Sequence, residues 1–450
     1  MGLTSQSLEY TVIVLAVACV AATVWLWPRL SRRGVGPVLG RLGAILVTQV
    51  SIVCALALAV NTNFEFYGNW DELLGNNDKA PVSVSQGGGQ YASVGNMKGG
   101  LVQPAGPQGL DRVTGLPKGP ADKVGKVESV RIIGRRSRAI NPGFVYLPPQ
   151  YFQQQFRRQR FPVMVVISGY PGGIMNLAQH LQVPQNAGRL IAQGRMQPTV
   201  IVMVRPTIAP PRDTECVDVP GGPQAETFFT KDLPDAMKSA YRVGHDPSAW
   251  GAFGYSSGGS CSLQLAMRNP HAYTSAVSLS GDYAIKDDLT TGSLFGPGPE
   301  GAKREREHDL LWRLKNLPAP QISALVASSR QGEADYGETM KFIHAAKSPM
   351  SVDSIILPRG SHQFTTWRRE VVPALEWQSQ QLTFPQDTEA ASPSQKPGAG
   401  APGKGGAPGK GGAPGKGGTS GADQQAGPSK SPTASDDKGR RRVEAERPRG

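Results

Sequence analysis

The chain has 450 residues, 39% of them hydrophobic, with 55 glycines, 38 prolines and a formal net charge of +13. That length holds one large domain with appendages, and the glycine and proline content implies that part of the chain stays unfolded. The charge is scattered and no basic helix carries interleaved aromatics, which excludes nucleic acid as the expected partner.

From about Leu8 to Trp27 nearly every residue is apolar, enough to cross a bilayer. Arg29, Arg32, Arg33 and Arg41 follow, and a second apolar run spans Leu42 to Val60. The pattern predicts a transmembrane helical hairpin over residues 1–61. Arginines between the two runs place the loop in the cytoplasm and both ends outside. A cleaved signal peptide explains the pattern less well, because the start lacks a positive charge and the second run would remain. Everything after Asn61 is therefore expected to be extracytoplasmic.

Residues 62–124 read as a linker. Phe64, Phe66, Tyr67 and Trp70 suit a membrane interface. Gln86-Gly87-Gly88-Gly89-Gln90 and Lys118-Gly119-Pro120 then bring too little apolar surface to offset chain entropy.

Residues 125–385 alternate strand-like and helix-like segments. Val127 to Ile133 and Phe144 to Pro148 form a β-rich start, with Pro142-Gly143 expected to turn the chain and Arg135 to Arg138 a solvated connection. Pro162 to Gly169 and Thr199 to Val204 are continuous apolar runs of the kind found in buried parallel strands. Trp250 to Tyr255, Tyr273 to Leu279, Ile322 to Ala327 and Val352 to Leu357 continue the series. Helical stretches lie at Asn176 to Gln193, Asp309 to Leu314, Glu338 to Ala346 and Phe364 to Gln381. Such alternation predicts an α/β, doubly wound, mostly parallel sheet with helices on both faces.

From Gln386 the chain is low in complexity. Ala401-Pro402-Gly403-Lys404-Gly405-Gly406 recurs at Ala407 and Ala413, without the Gly-X-Y period of collagen. The segment carries eleven Lys/Arg against seven Asp/Glu. It reads as a flexible cationic tail, either touching an anionic envelope polymer or serving only as a solubilising extension.

The chemistry centres on Gly254-Tyr255-Ser256-Ser257-Gly258, between an apolar strand and an apolar-periodic helix. This is the G-x-S-x-G nucleophile elbow, a strained turn that lifts a serine hydroxyl clear of the sheet. The helix behind it aims N–H groups at a developing oxyanion, and Ser257 is placed to donate one. A second N–H is expected from Tyr170, in the loop Ser168-Gly169-Tyr170-Pro171-Gly172-Gly173 after an earlier strand. A serine nucleophile needs a base, and of the six histidines His362 follows the last strand across a short loop at its carboxyl end. The orienting acid is expected after the strand Ile322 to Ala327, as Glu333 or Asp335. Glu333 is nearer the strand end, and Asp335 is also placed to cap the next helix. Asp282 is a third candidate that reads better as a turn residue.

Cys19 and Cys54 fall in the apolar runs, where cysteine behaves as a small hydrophobe. Cys216 and Cys261 lie in the outer region, whose oxidising setting permits a disulfide. They are expected to pair, pinning the loop Arg212 to Asp218 over the active site. The carboxylates of that loop have no accompanying His or Cys set, so no metal is expected and solvation is.

With these residues in place, the segment from about Lys126 to Thr383 resembles the esterase D / antigen 85 group of α/β-hydrolases, and looks most like the membrane-anchored esterases of actinobacteria. The resemblance rests on Val163–Gly173, Glu226–Pro234, Gly254–Gly259 and Gly360-Ser361-His362-Gln363-Phe364-Thr365-Thr366-Trp367. The last is similar to the family's Gly/Thr-His-Ser/Asn-x-x-x-Trp pattern, from which Gln363 departs. The resemblance implies Ser256 as nucleophile, His362 as base, and carboxylester hydrolysis or acyl transfer without a cofactor. It leaves the acid open, since these families place it at different points after the penultimate strand. Mycolyltransferases are relatives that move long acyl chains onto sugars, but no feature here identifies a chain tunnel or a sugar site. The expectation is a serine esterase of small-molecule or lipid esters, held at the cell membrane. An envelope acyltransferase and a non-catalytic envelope-binding protein are the alternatives.

Overall fold

The computed structural model describes residues 6–31, 34–64, 100–105 and 117–385. Most of the expected linker, with Phe66, Tyr67 and Trp70, lies outside the described residues. So do Arg32, Arg33 and the tail from Gln386.

Helices α1 (Gln6–Leu26) and α2 (Val35–Phe64) are both long and apolar enough to cross a membrane. They pack on one another, and Thr23 and Thr48 join by a 2.8 Å hydroxyl–hydroxyl hydrogen bond. The second helix begins seven residues before its apolar run, so Arg41 is helical rather than part of the loop. Pro37 stands in its first turn, where the missing N–H has no intrahelical partner to lose.

The remaining strands build one nine-stranded sheet. In chain order they are β1 (Val102–Pro104), β2 (Lys126–Ile133), β3 (Ile140–Leu147), β4 (Val163–Ile167), β5 (Val200–Val204), β6 (Trp250–Tyr255), β7 (Ser275–Leu279), β8 (Ser323–Ser329) and β9 (Ser351–Leu357). Their spatial order is β1-β2-β3-β5-β4-β6-β7-β8-β9. The first three strands run antiparallel to their neighbours, and β4 through β9 are parallel to one another. Two expectations change here. Val102–Pro104, inside the stretch expected as linker, adds an edge strand to β2. Pro142-Gly143 lies within β3 instead of turning the chain. Pro142 sits just outside the β3–β5 ladder, which starts at Gly143, so its missing N–H leaves no gap there. The turn falls at Gly134 to Ala139, where Asp232 accepts hydrogen bonds from Arg136 N, Ser137 N and Ser137 Oγ. The Asp232 end of Glu226–Pro234 thus anchors this turn, and Glu226 ties Arg268 and Asn269 at the end of the elbow helix.

Helices lie on both faces: α3 (Val183–Ala192), α4 (Leu233–Ala240), α5 (Ser257–Arg268), α6 (Gly298–Glu307), α7 (Leu310–Asn316), α8 (Tyr336–Ala345) and α9 (Phe364–Gln381). The central strands split their side chains between two cores. Val163, Val165 and Ile167 of β4 join the core under α4 and α5, while Met164 and Val166 join the one under α3 and α9. Burial on both faces is why these strands read as unbroken apolar runs.

From β4 the chain moves to β5 on one side, then returns to place β6 on the other. That reversal opens a crevice at the carboxyl ends of β4 and β6. The elbow closes tightly beside it. A Cβ on Gly254 would lie 2.0 Å from the Gly258 carbonyl oxygen, and one on Gly258 would lie 2.3 Å from that of Ile167. Both obstacles are backbone and cannot yield. Gly254→Ala is therefore expected to destabilise the fold by more than about 3 kcal/mol, read as a large fall in melting temperature by circular dichroism.

Candidate active site

Ser256 occupies the tip of the turn between β6 and α5, with φ 56° and ψ −132°. That is strained backbone for a residue with a Cβ, and it projects the side chain away from the sheet. The Ser256 N–H donates to Leu279 O at 2.9 Å, while its carbonyl accepts from Gly259 and Ser260 at the start of α5.

His362 lies in the loop between β9 and α9. That loop is held by Gly360 N donating to Gln331 O and by Ser361 N donating to Thr366 Oγ1, each at 3.0 Å. The ring packs edge-on against Trp367, with centroids 5.0 Å apart. Its Nε2 stands 2.8 Å from Ser256 Oγ. With the hydroxyl donating, the imidazole proton resides on Nδ1. The ring is accessible from outside, but its packed inner side is desolvated, and that lowers its pKa below the ordinary histidine value. The charges of Glu333 and Asp282 push the other way.

Of the two expected acids, Glu333 is the one whose charge acts on His362. Glu333 is buried, and its Oε1 accepts from Ser280 Oγ. Ser280 in turn accepts from Trp367 Nε1 at 2.9 Å. Asp335 sits at the N-terminus of α8, near Ser328 and Thr339, without making the capping bond. Burial and the neighbouring Glu333 raise its pKa to about 6. Asp282, read as a turn residue, also lies within the electrostatic reach of His362. Its N–H donates to Ser260 Oγ of α5. Ser280 escaped the sequence reading because its role follows from a long-range contact and a left-handed φ of 51°, neither of which leaves a local pattern.

The two expected oxyanion donors are adjacent. Tyr170 N donates to Ser257 Oγ at 2.7 Å, so an incoming oxyanion would compete with that hydroxyl. Two clefts open at Tyr170. One of about 190 Å³ runs along Pro171–Gly173 to Pro210 and Pro211, and a wider one of about 750 Å³ is bordered by Arg212 and Leu289–Ser293.

Cys216 and Cys261 form a disulfide, with Cα atoms 5.5 Å apart. It joins the acidic loop to α5, five residues beyond Ser256. The loop is not solvated as expected. Asp213 is 2% exposed, and its Oδ1 accepts the Glu215 N–H. Burial raises the Asp213 pKa to about 6 and raises that of Glu215 as well, with the charges of Asp213, Asp282 and Asp288 adding to the latter. Arg212 braces the loop by donating to Thr291 O and Ser293 O.

A family model described as "Putative esterase" matches residues 139–392. An uncharacterised protein of Corynebacterium glutamicum is 25% identical over 247 residues, spanning 52% of this chain and 56% of that protein. The chain thus spans little more than half the length of the curated relative it matches. Among solved structures, a ferulic acid esterase is 18% identical at a TM-score of 0.47, covering 58% of this chain and 100% of that one. An S-formylglutathione hydrolase from Agrobacterium tumefaciens is 16% identical at 0.46, covering 60% and 99%.

Proposed function

Since this chain belongs to the esterase family that its residues 139–392 match, we propose that it is a serine esterase that cleaves carboxylic esters through an acyl-enzyme on Ser256. The observation that carries the reading is the 2.8 Å contact between Ser256 Oγ and His362 Nε2, formed by residues 106 positions apart in sequence. In this mechanism His362 takes the hydroxyl proton as Ser256 attacks the ester carbonyl. The charge that develops on the carbonyl oxygen is met by the N–H groups of Ser257 and Tyr170. Glu333, fixed through Ser280 and Trp367, stabilises the imidazolium. His362 then returns the proton to the leaving alcohol, and water releases the acyl group by the same steps reversed.

Two apolar helices support anchoring in a membrane, and the arginines between them support an extracytoplasmic site. Labelling of intact cells with an impermeant fluorophosphonate tests the site and its placement together. Modification at Ser256 supports both. Labelling only after lysis would move the site to the other face, and no labelling in either case would remove the serine mechanism.

A base acts only when neutral. Because desolvation lowers the His362 pKa, its neutral form persists to more acidic pH. The acid limb of kcat/KM is therefore expected below about pH 6.5, the ordinary histidine value, in a pH profile on a short p-nitrophenyl ester.

A further inference from the structure

Glu370 is a buried carboxyl that the mechanism above leaves unused. It lies on α9, 0% exposed, and neither of its oxygens has a hydrogen-bond partner among the described residues. Thr366 and Trp367 precede it by four and three residues, so all three side chains share one face of the helix. That face is tied to the site at two points. Thr366 Oγ1 holds the N–H of Ser361, beside His362, and Trp367 holds Ser280, which holds Glu333. It also abuts the end of β8. A Cβ on Gly360 would lie 2.3 Å from Ser329 Oγ and 2.7 Å from Thr366 Cγ2.

Four buried polar atoms in this region lack hydrogen-bond partners among the described residues: both Glu370 oxygens, Glu333 Oε2 and Ser329 Oγ. Glu333 is 8% exposed and Ser329 is 0%. The charged groups facing Glu370 are Glu333 and Asp335, from the loop after β8, and Arg369 on its own helix. An unpaired carboxylate in such a place is expensive, whereas a carboxylic acid is neutral and carries a donor.

We propose that Glu370 is a positioning residue for the triad acid: it is kept as a neutral acid whose O–H is directed to Glu333, so that Glu333 holds a single orientation under His362. The inference rests on the serine mechanism proposed above. Burial, with Glu333 and Asp335 adding to it and Arg369 opposing, pushes the Glu370 carboxyl up to about 9. Its neutral form is thus present across neutral pH and is lost as pH rises through that value. A second negative charge then appears behind Glu333, and catalysis falls.

The test compares the full-length wild-type chain in detergent with Glu370→Gln and Glu370→Leu, by background-corrected p-nitrophenyl acetate hydrolysis from pH 5 to 10.5. The wild type is expected to show an alkaline limb near pH 9. Glu370→Gln, which cannot ionise but keeps an N–H donor, should lose that limb and lower kcat about fivefold at pH 7.5 with KM unchanged. Glu370→Leu, which leaves Glu333 without a partner, should lower kcat about thirtyfold. A Gln variant that keeps the wild-type limb, or is as impaired as Leu, overturns the proposal. If Leu fails to fold by circular dichroism, the Gln profile decides alone. Fluorophosphonate labelling of wild type at pH 7.5 separates the two readings. A labelled, active enzyme with an unchanged Gln profile leaves the serine mechanism standing, whereas an unlabelled wild type removes that mechanism first.

Discussion

Ser256→Ala is expected to lower kcat for a short p-nitrophenyl ester by about 10⁴- to 10⁶-fold and to abolish fluorophosphonate labelling, leaving the melting temperature nearly unchanged. The size follows from the chemistry. Without the hydroxyl there is no acyl-enzyme, and His362 has nothing to deprotonate except water. Residual hydrolysis would come from the N–H groups of Ser257 and Tyr170 acting on a bound ester. Stability should hold because the elbow does not depend on the hydroxyl. Its backbone is fixed by Ser256 N to Leu279 O and by the Gly254–Gly258 contact, which alanine leaves intact. The left-handed φ of 56° is strained for serine and alanine alike. His362→Ala should cause a loss of similar order, because the nucleophile and the base act as one unit. A Ser256→Ala enzyme that keeps a tenth of wild-type activity would remove the covalent mechanism, whatever the distance between the two side chains.

What the sequence disclosed followed burial. Strands β4, β5 and β6 could be read because each is covered on both faces, which forces runs such as Val163–Ile167. Helix α9 has the bounds expected, Phe364–Gln381, even with Pro373 inside it. Ser256 and His362 could be paired because chain order and strand ends restrict where a base can lie, and the structure brings them together. Strand β1 was not legible. Three residues in a glycine-rich stretch join the sheet by backbone pairing, which writes no side-chain pattern. The two candidate acids were equally hard to tell apart. Glu333 and Asp335 are two residues apart on one loop, and only the fold bonds the first to Ser280, with its charge acting on His362, and sets the second at the start of α8. Glu370 reads as an ordinary charged helix residue, because what covers it comes from segments distant in sequence.

Removal of the disulfide is the second large effect. Cys216 and Cys261 are 45 residues apart, and closing a loop of that length constrains the unfolded chain by about 4 kcal/mol. A Cys216→Ser/Cys261→Ser variant is therefore expected to melt about 10 °C below the wild type in non-reducing buffer. Activity should also fall, because the same bond holds the Arg212 to Asp218 loop on the elbow helix beside the Tyr170 clefts. What remains to hold that loop includes Arg212 to Thr291 and Ser293, and Asp213 N to Thr290 O. Against these stand carboxyls that repel one another: Asp213, Glu215, Asp282 and Asp288. Asp213 titrates higher in the folded loop, at about 6, than in an open one. The closed loop therefore binds more protons, and its stability falls as pH rises from about 4 to about 6. In the serine variant, opening of residues 205–218 should be greater at pH 7.5 than at pH 5, measured as hydrogen exchange corrected for intrinsic rates. A variant that melts within about 2 °C of the wild type and shows no pH dependence of exchange there would mean that packing alone seats the loop, and that the bond adds little to the site.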